Sequence, residues 1–213
     1  MEIKAALIDM DGFLINSEEL YLEANKIYFK KFNFTFTEEL HKQGTGQKFE
    51  VWIKSVTNID KTGEQILHER NEIYYRLAKE RLKLLPGAKD FLHLMHRNFK
   101  TVLVTSSNKD YVDFVFGITE ISRHFDLIIT GELVTKGKPD PQCYLLAAKM
   151  LNLTPRECVV FEDAPNGILA GKASGMKVIA IPSPFVKGDK AFSKADLVLD
   201  SLENINIEKV MKD

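Results

Sequence analysis

Four short, continuous apolar runs constrain this chain more than any other feature, because each one ends abruptly in polar, acidic or proline residues. Ala5-Ala6-Leu7-Ile8 runs into Asp9-Met10-Asp11-Gly12, Thr101-Val102-Leu103-Val104 into Thr105-Ser106-Ser107-Asn108, Cys158-Val159-Val160-Phe161 into Glu162-Asp163, and Lys177-Val178-Ile179-Ala180-Ile181 into Pro182. A run without polar alternation reads as a strand buried on both faces, as in a parallel sheet. Two weaker strands are expected at 126–130 and 195–199. Helix-patterned segments at 87–97, 141–151 and 165–173 lie between the runs, the last followed by Gly175 in the place of a C-terminal stop. Strands alternating with such helices predict right-handed βαβ crossovers, hence an α/β fold with a doubly wound, Rossmann-like parallel sheet.

One stretch breaks the alternation. From Ser17 to Leu84 the chain is helical in character, with amphipathic patterns around 20–32, 49–56 and 64–81, and Asn16 with Glu19 suggests a capping arrangement at the first of these helices. Trp52 and the phenylalanines at 29, 32, 34 and 36 are expected to form its apolar interior. The expected division is an α/β core of residues 1–15 and 85–213, with a helical cap, 16–84, inserted after the first strand and closed by Leu85-Pro86-Gly87.

Composition narrows the function. With 45% hydrophobic and 28% charged residues, the chain has the make-up of a soluble globular protein. The 29 basic and 30 acidic side chains give a net charge of -1 with no long block of one sign, which argues against nucleic acid or a membrane surface as partner. No apolar run approaches the ~20 residues of a bilayer span. Two cysteines and a start that runs directly into a strand lead to the expectation of a reduced, cytoplasmic setting. A monomer or weak homodimer is expected.

In open α/β sheets, ligands bind beyond the carboxyl ends of the strands, so the loops after the apolar runs are the place to look for chemistry. Side chains two apart on an extended backbone point the same way, so Asp9 and Asp11 would present paired carboxylates, and crowded acids with oxygen ligands alone suit Mg²⁺. Thr105 and Ser106 stand where hydroxyls and free backbone N–H groups form a phosphate cradle. In Gly137-Lys138-Pro139-Asp140-Pro141, Lys138 is a cation in a stiff turn that can balance phosphoryl charge, with Lys136 as its local rival. Glu162 and Asp163 end a buried strand and are candidate metal ligands. Each signal has a structural alternative: strand-end acids, N-capping hydroxyls, a surface lysine in a proline turn, or acids facing a helix dipole. Together, and in this order, they supply the nucleophile, phosphate-holding hydroxyl, cation and metal ligand of phosphoryl transfer. The histidines at 41, 68, 93, 96 and 124 show no paired metal spacing.

The combination resembles the haloacid dehalogenase-like superfamily, and over nearly the whole chain it is similar to the branch containing β-phosphoglucomutase and small sugar-phosphate phosphatases. The resemblance implies Asp9 as nucleophile, Asp11 as general acid and base, Thr105 holding the phosphoryl group and Lys138 steadying its charge. It also implies that Asp163 ligates Mg²⁺ with Asp9 and the backbone carbonyl of Asp11, with Glu162 in the place of the family's other acid in that motif. The expected activity is Mg²⁺-dependent hydrolysis of a small-molecule phosphate ester of the sugar or polyol type, through an aspartyl-phosphate. The alternatives are a β-phosphoglucomutase-like mutase and, more remotely, a non-catalytic binding module of the same fold. Relatives in this branch carry an acid where Asn16 stands, and the mutase has a cap-loop arginine where this chain has Gly44-Thr45-Gly46-Gln47-Lys48.

Overall fold

The first apolar run forms β1 (Ala5–Ile8), with all four residues buried. It lies near the middle of a six-stranded sheet with β2 (Lys100–Val104), β3 (Leu127–Ile129), β4 (Cys158–Glu162), β5 (Lys177–Ala180) and β6 (Leu197–Val198). These details come from a computed structural model that describes residues 2–45 and 47–211. The strand order is β3-β2-β1-β4-β5-β6 and every pairing is parallel. The expected α/β fold is therefore the observed one. The two weak strands are shorter than the sequence suggests because they form the sheet's edges, each with a single neighbour and incomplete burial.

Alternation along the strands sends side chains to two faces, and both are covered. Leu7, Val102, Val104 and Val160 share one apolar core with Tyr144 and Ala147 of α7 (Gln142–Met150) and with Ile168 and Ala170 of α8 (Pro165–Ala173). On the other face Phe161 meets Phe91 of α5 (Ala88–Asn98), ring centroids 5.0 Å apart, and Phe13 closes the cluster 5.7 Å from Phe91. Each fully buried Leu, Ile or Phe in these layers contributes about 1.5–3 kcal/mol of transfer free energy, which is why the strands tolerate no alternation. Pro165 opens α8, and Gly175, at φ 77°, takes the left-handed turn that ends it.

The chain divides into two compact units, residues 1–15 with 83–213 and residues 16–82. The second unit holds α1 (Ser17–Lys30), α2 (Glu38–Gly44), α3 (Phe49–Val56) and α4 (Gly63–Arg81). Thr62 starts α4 with a capping box, accepting from Gln65 N while the Gln65 side chain accepts from Thr62 N. At α1 the expected arrangement does not form: Asn16 makes no side-chain cap bond, and its amide donates instead to the Arg81 carbonyl at 3.3 Å. Phe29, Phe36 and Trp52 are buried as expected, with Phe29 and Phe36 stacked at 5.2 Å. Phe32 and Phe34 are not: Phe32 is 37% exposed and lies under the Lys61 ammonium, and Phe34, in the turn after α1, is half-buried.

Two glycines on helices of the α/β unit make opposite demands. A Cβ on Gly171 of α8 would lie 2.7 Å from Val178 Cγ2 and 3.2 Å from Val160 Cγ1, so the helix approaches the sheet only because that atom is missing. Gly117 of α6 (Lys109–Thr119) has nothing within 4 Å of the same position. Gly171→Ala is therefore expected to destabilise the fold by about 1–3 kcal/mol through overpacking. Gly117→Ala is expected to stabilise it by about 0.5–1 kcal/mol through helix propensity. Urea denaturation midpoints of the two variants measure both.

Candidate active site

The site begins with strand register. Ile8 of β1 pairs with Phe161 of β4, and Asp9 N donates to the Phe161 carbonyl at 3.1 Å, so the residues that follow, Asp9 and Glu162, leave the sheet side by side. The strand order also changes direction here, because β2 and β3 extend to one side of β1 while β4 to β6 extend to the other. That crevice is where a doubly wound sheet places its ligand.

Lys138 fills it. Its Nζ donates to Asp9 Oδ1 at 2.6 Å, Glu162 Oε1 at 2.6 Å and the Val104 carbonyl at 3.1 Å, three acceptors for the three hydrogens of an ammonium. The lysine side chain is 9% exposed and that of Glu162 1%. Burial by itself would lower the Lys138 pKa, but the Asp9 and Glu162 carboxylates outweigh it and hold the ammonium well above its ordinary range. Burial pushes the Asp9 carboxyl up to about 8, against the downward pull of Lys138. The rival Lys136 is exposed, and its nearest acid is Asp140 at 3.8 Å.

Glu162 is held on both oxygens. Oε1 also accepts from the Tyr144 hydroxyl at 2.7 Å, and Oε2 accepts from the backbone N–H groups of Asp163 at 3.1 Å and Ala164 at 3.3 Å. Room for this carboxylate comes from Gly167 in the first turn of α8, where a Cβ would lie 1.8 Å from Glu162 Oε1. The pair of glycines in this helix thus serves two purposes, Gly171 for packing on the sheet and Gly167 for the acid.

Asp11 takes different partners. Its Oδ2 accepts from the Ser107 hydroxyl at 2.9 Å and its Oδ1 from the Tyr111 hydroxyl at 3.1 Å. Thr105 is buried at the end of β2, and its hydroxyl accepts from Ser107 N at 3.0 Å. Thr105, Ser106 and Lys138 line one small cavity of about 90 Å³ with Gly131 and Gly137. Capping of α6 falls to Asn108, whose side chain accepts from Tyr111 N at 3.0 Å, so Thr105 and Ser106 are not its caps.

One carboxylate oxygen from each of Asp9, Glu162 and Asp163 lies within 4.8 Å of the others, all three residues buried. The carboxylate of Asp11 is not in this group, so the sequence expectation of Asp11 as a ligand can concern only its backbone carbonyl. A donor set of oxygens alone fits a hard cation such as Mg²⁺, whose opposed ligands stand about 4.2 Å apart. Glu162 is already saturated by Lys138, Tyr144 and two amides, which leaves Asp9 and Asp163 as the better-suited ligands. Among the described residues no other cluster of acids, histidines or cysteines has this spacing.

Residues 6–181 match the haloacid dehalogenase-like hydrolases. The chain belongs to this family. It is 32% identical over 213 residues to hexitol phosphatase A of Escherichia coli (strain K12), covering 98% of this chain and 96% of that one. It is 28% identical over 185 residues to the phosphorylated carbohydrates phosphatase of Thermotoga maritima, covering 83% and 84%. The crystal structure of a CbbY mutant from Rhodobacter sphaeroides in complex with xylulose-(1,5)bisphosphate superimposes with a TM-score of 0.83 at 25% identity, covering 96% of each chain. In this haloacid dehalogenase-like hydrolase, then, all the candidate residues except Ser106 are tied into hydrogen bonds or the acidic cluster, and Ser106 lines the small cavity.

Sequence reasoning passed over Tyr111, Tyr144 and the hydroxyl of Ser107. Ser107 stood inside a motif already singled out, but which of three adjacent hydroxyls faces Asp11 depends on the twist of the turn. The tyrosines carried no signal, since both look like ordinary apolar positions of amphipathic helices.

The lysine ties the site together energetically. Lys138→Met strands two buried carboxylates, and a stability loss of about 3–5 kcal/mol is expected. Adding Glu162→Gln in the same chain should recover part of it, so that the double variant is less unstable than the sum of the singles. Urea unfolding of the double-mutant cycle measures the coupling.

Proposed function

We propose that this haloacid dehalogenase-like hydrolase is a Mg²⁺-dependent phosphatase of small phosphorylated metabolites, of the sugar or polyol phosphate type, working through an aspartyl-phosphate on Asp9. The observation that carries the reading is the convergence of Asp9, Lys138, Thr105 and Asp163 at the ends of three adjacent strands, in a chain with sugar and hexitol phosphatases among its relatives.

An Asp9 oxygen attacks the phosphorus of the monoester, the bond from phosphorus to the alcohol oxygen breaks, and that oxygen leaves with the proton given up by Asp11. Water then loses a proton to Asp11 as its oxygen attacks phosphorus, and the bond to Asp9 breaks to release phosphate. Splitting the hydrolysis in this way replaces one hard displacement by two easier ones. Thr105 and Ser106 hold phosphoryl oxygens by hydrogen bonding. Lys138 sets a fixed positive charge beside the attacking carboxylate, and Glu162 keeps that charge in place. Asp9, Asp163 and the backbone carbonyl of Asp11 would hold Mg²⁺, which when bound offsets the negative charge of carboxylate and phosphate as they approach.

Residues 16–82 are assigned the part of a cap that selects the leaving group and excludes water. Within that unit a cavity of about 240 Å³ is lined by Asn25, His41, Trp52 and Arg70 among others. Its size and mixed polar and aromatic walls suit a sugar or polyol better than a macromolecule. The protein is read as cytoplasmic, and among the described residues no helix is long and apolar enough to cross a membrane.

A phosphate-release screen over hexitol, hexose and glycerol phosphates with Mg²⁺ is expected to rank at least one alkyl monoester as a substrate. Asp9→Asn should abolish turnover while leaving the circular dichroism spectrum unchanged, and a chelator should silence the wild type until Mg²⁺ is restored. Turnover by Asp9→Asn at the wild-type rate would falsify the assignment of the nucleophile. Conversion of β-glucose 1-phosphate to glucose 6-phosphate without free phosphate would instead identify a mutase.

A further inference from the structure

We infer that Tyr111 is a positioning residue for Asp11, fixing the carboxyl group from which the departing alcohol takes its proton. The inference rests on the acid and base role proposed above for Asp11. It comes from a two-point clamp: Asp11 Oδ1 accepts from the Tyr111 hydroxyl at 3.1 Å while Oδ2 accepts from the Ser107 hydroxyl at 2.9 Å. A carboxylate bonded through one oxygen still pivots about it, whereas a second bond to the other oxygen stops the rotation.

Tyr111 is itself rigid. It is 4% exposed, its ring stacks on Phe114 with centroids 6.3 Å apart, and its backbone N–H donates to the Asn108 side chain that caps α6. Packing at this position would be met equally well by phenylalanine. The hydroxyl adds a donor aimed at an acid 100 positions away in the chain. Ser107 provides one of the two points, and Tyr111 supplies the other.

Tyr111 exchanges no proton in the reaction. Its effect therefore scales with how much the leaving oxygen depends on a well-placed acid. An alkoxide from a sugar or polyol needs the proton as the phosphorus–oxygen bond breaks, while p-nitrophenolate leaves without it. The quantity to follow is kcat/KM, which covers only the steps up to departure of the leaving group.

The experiment compares wild type, Tyr111→Phe and Asp11→Asn on the alkyl ester ranked first in the phosphate-release screen and on p-nitrophenyl phosphate. Tyr111→Phe is expected to lose about tenfold in kcat/KM on the alkyl ester, the worth of one hydrogen bond, and less than about threefold on p-nitrophenyl phosphate. Its KM for the alkyl ester and its thermal midpoint should stay at the wild-type values. Equal losses on the two esters, or no loss on either, overturn the positioning role if Asp11→Asn still discriminates between them. If Asp11→Asn also treats the two esters alike, the acid role of Asp11 fails and the inference about Tyr111 fails with it.

Discussion

A single buried ammonium shared by two buried carboxylates is the interaction on which the rest of the site depends. Removing Lys138, Asp9 and Glu162 from water is costly, and attraction between opposite charges offsets that cost only when the remaining donors and acceptors are also satisfied. Here they are. Lys138 has three acceptors for three hydrogens, and Glu162 receives four donors on two oxygens. Burial and the neighbouring Glu162 hold the Asp9 carboxyl up to about 8 against the pull of Lys138, so one ammonium does not settle both acids, and Asp163 adds a third. Such a crevice favours a divalent cation, and it disfavours an anionic ester until that cation is present.

The fold is what makes the trio possible. Parallel pairing of β1 with β4 sets Asp9 and Glu162 level, and the reversal of strand order at that pair opens space above them. Lys138 arrives from the loop before α7, and the same helix supplies Tyr144, whose ring lies 5.3 Å from the lysine Nζ and whose hydroxyl bonds Glu162. Core packing and the geometry of the candidate site are therefore not separable on this side of the sheet. A shift of α7 would move both the counter-charge and its anchor.

How much of this could be read from the sequence follows from the range of each signal. Strands buried on both faces carry a local signature, so β1, β2, β4 and β5 were legible from four or five residues each, and the acids and hydroxyls at their ends were legible with them. The edge strands were blurred because half their surface faces solvent and composition no longer decides. Asn16 followed a capping pattern by type and spacing, yet its side chain turned to a carbonyl 65 residues away, which no local rule anticipates. Phe32 and Phe34 looked like core from composition, but α1 ends at Lys30 and the face they would have shared is lost in the turn. Lys136 and Lys138 differ by two positions, and only the site itself, with its acids already in place, distinguishes the buried cation from the exposed one.

Gly167 shows why the remaining part was out of reach. In sequence it looks like one of two small residues that let a helix lie close to a sheet, and Gly171 four positions later does serve that purpose. The space above Gly167, however, is taken up by the carboxylate of Glu162, whose own partners come from the start of α8, from α7 and from the loop before α7. Four separate segments thus fix what one missing methyl group is for. A local pattern can reveal that space is needed at a position, but what fills that space is a property of the assembled sheet, and in this chain it is the acid that keeps the buried lysine in place.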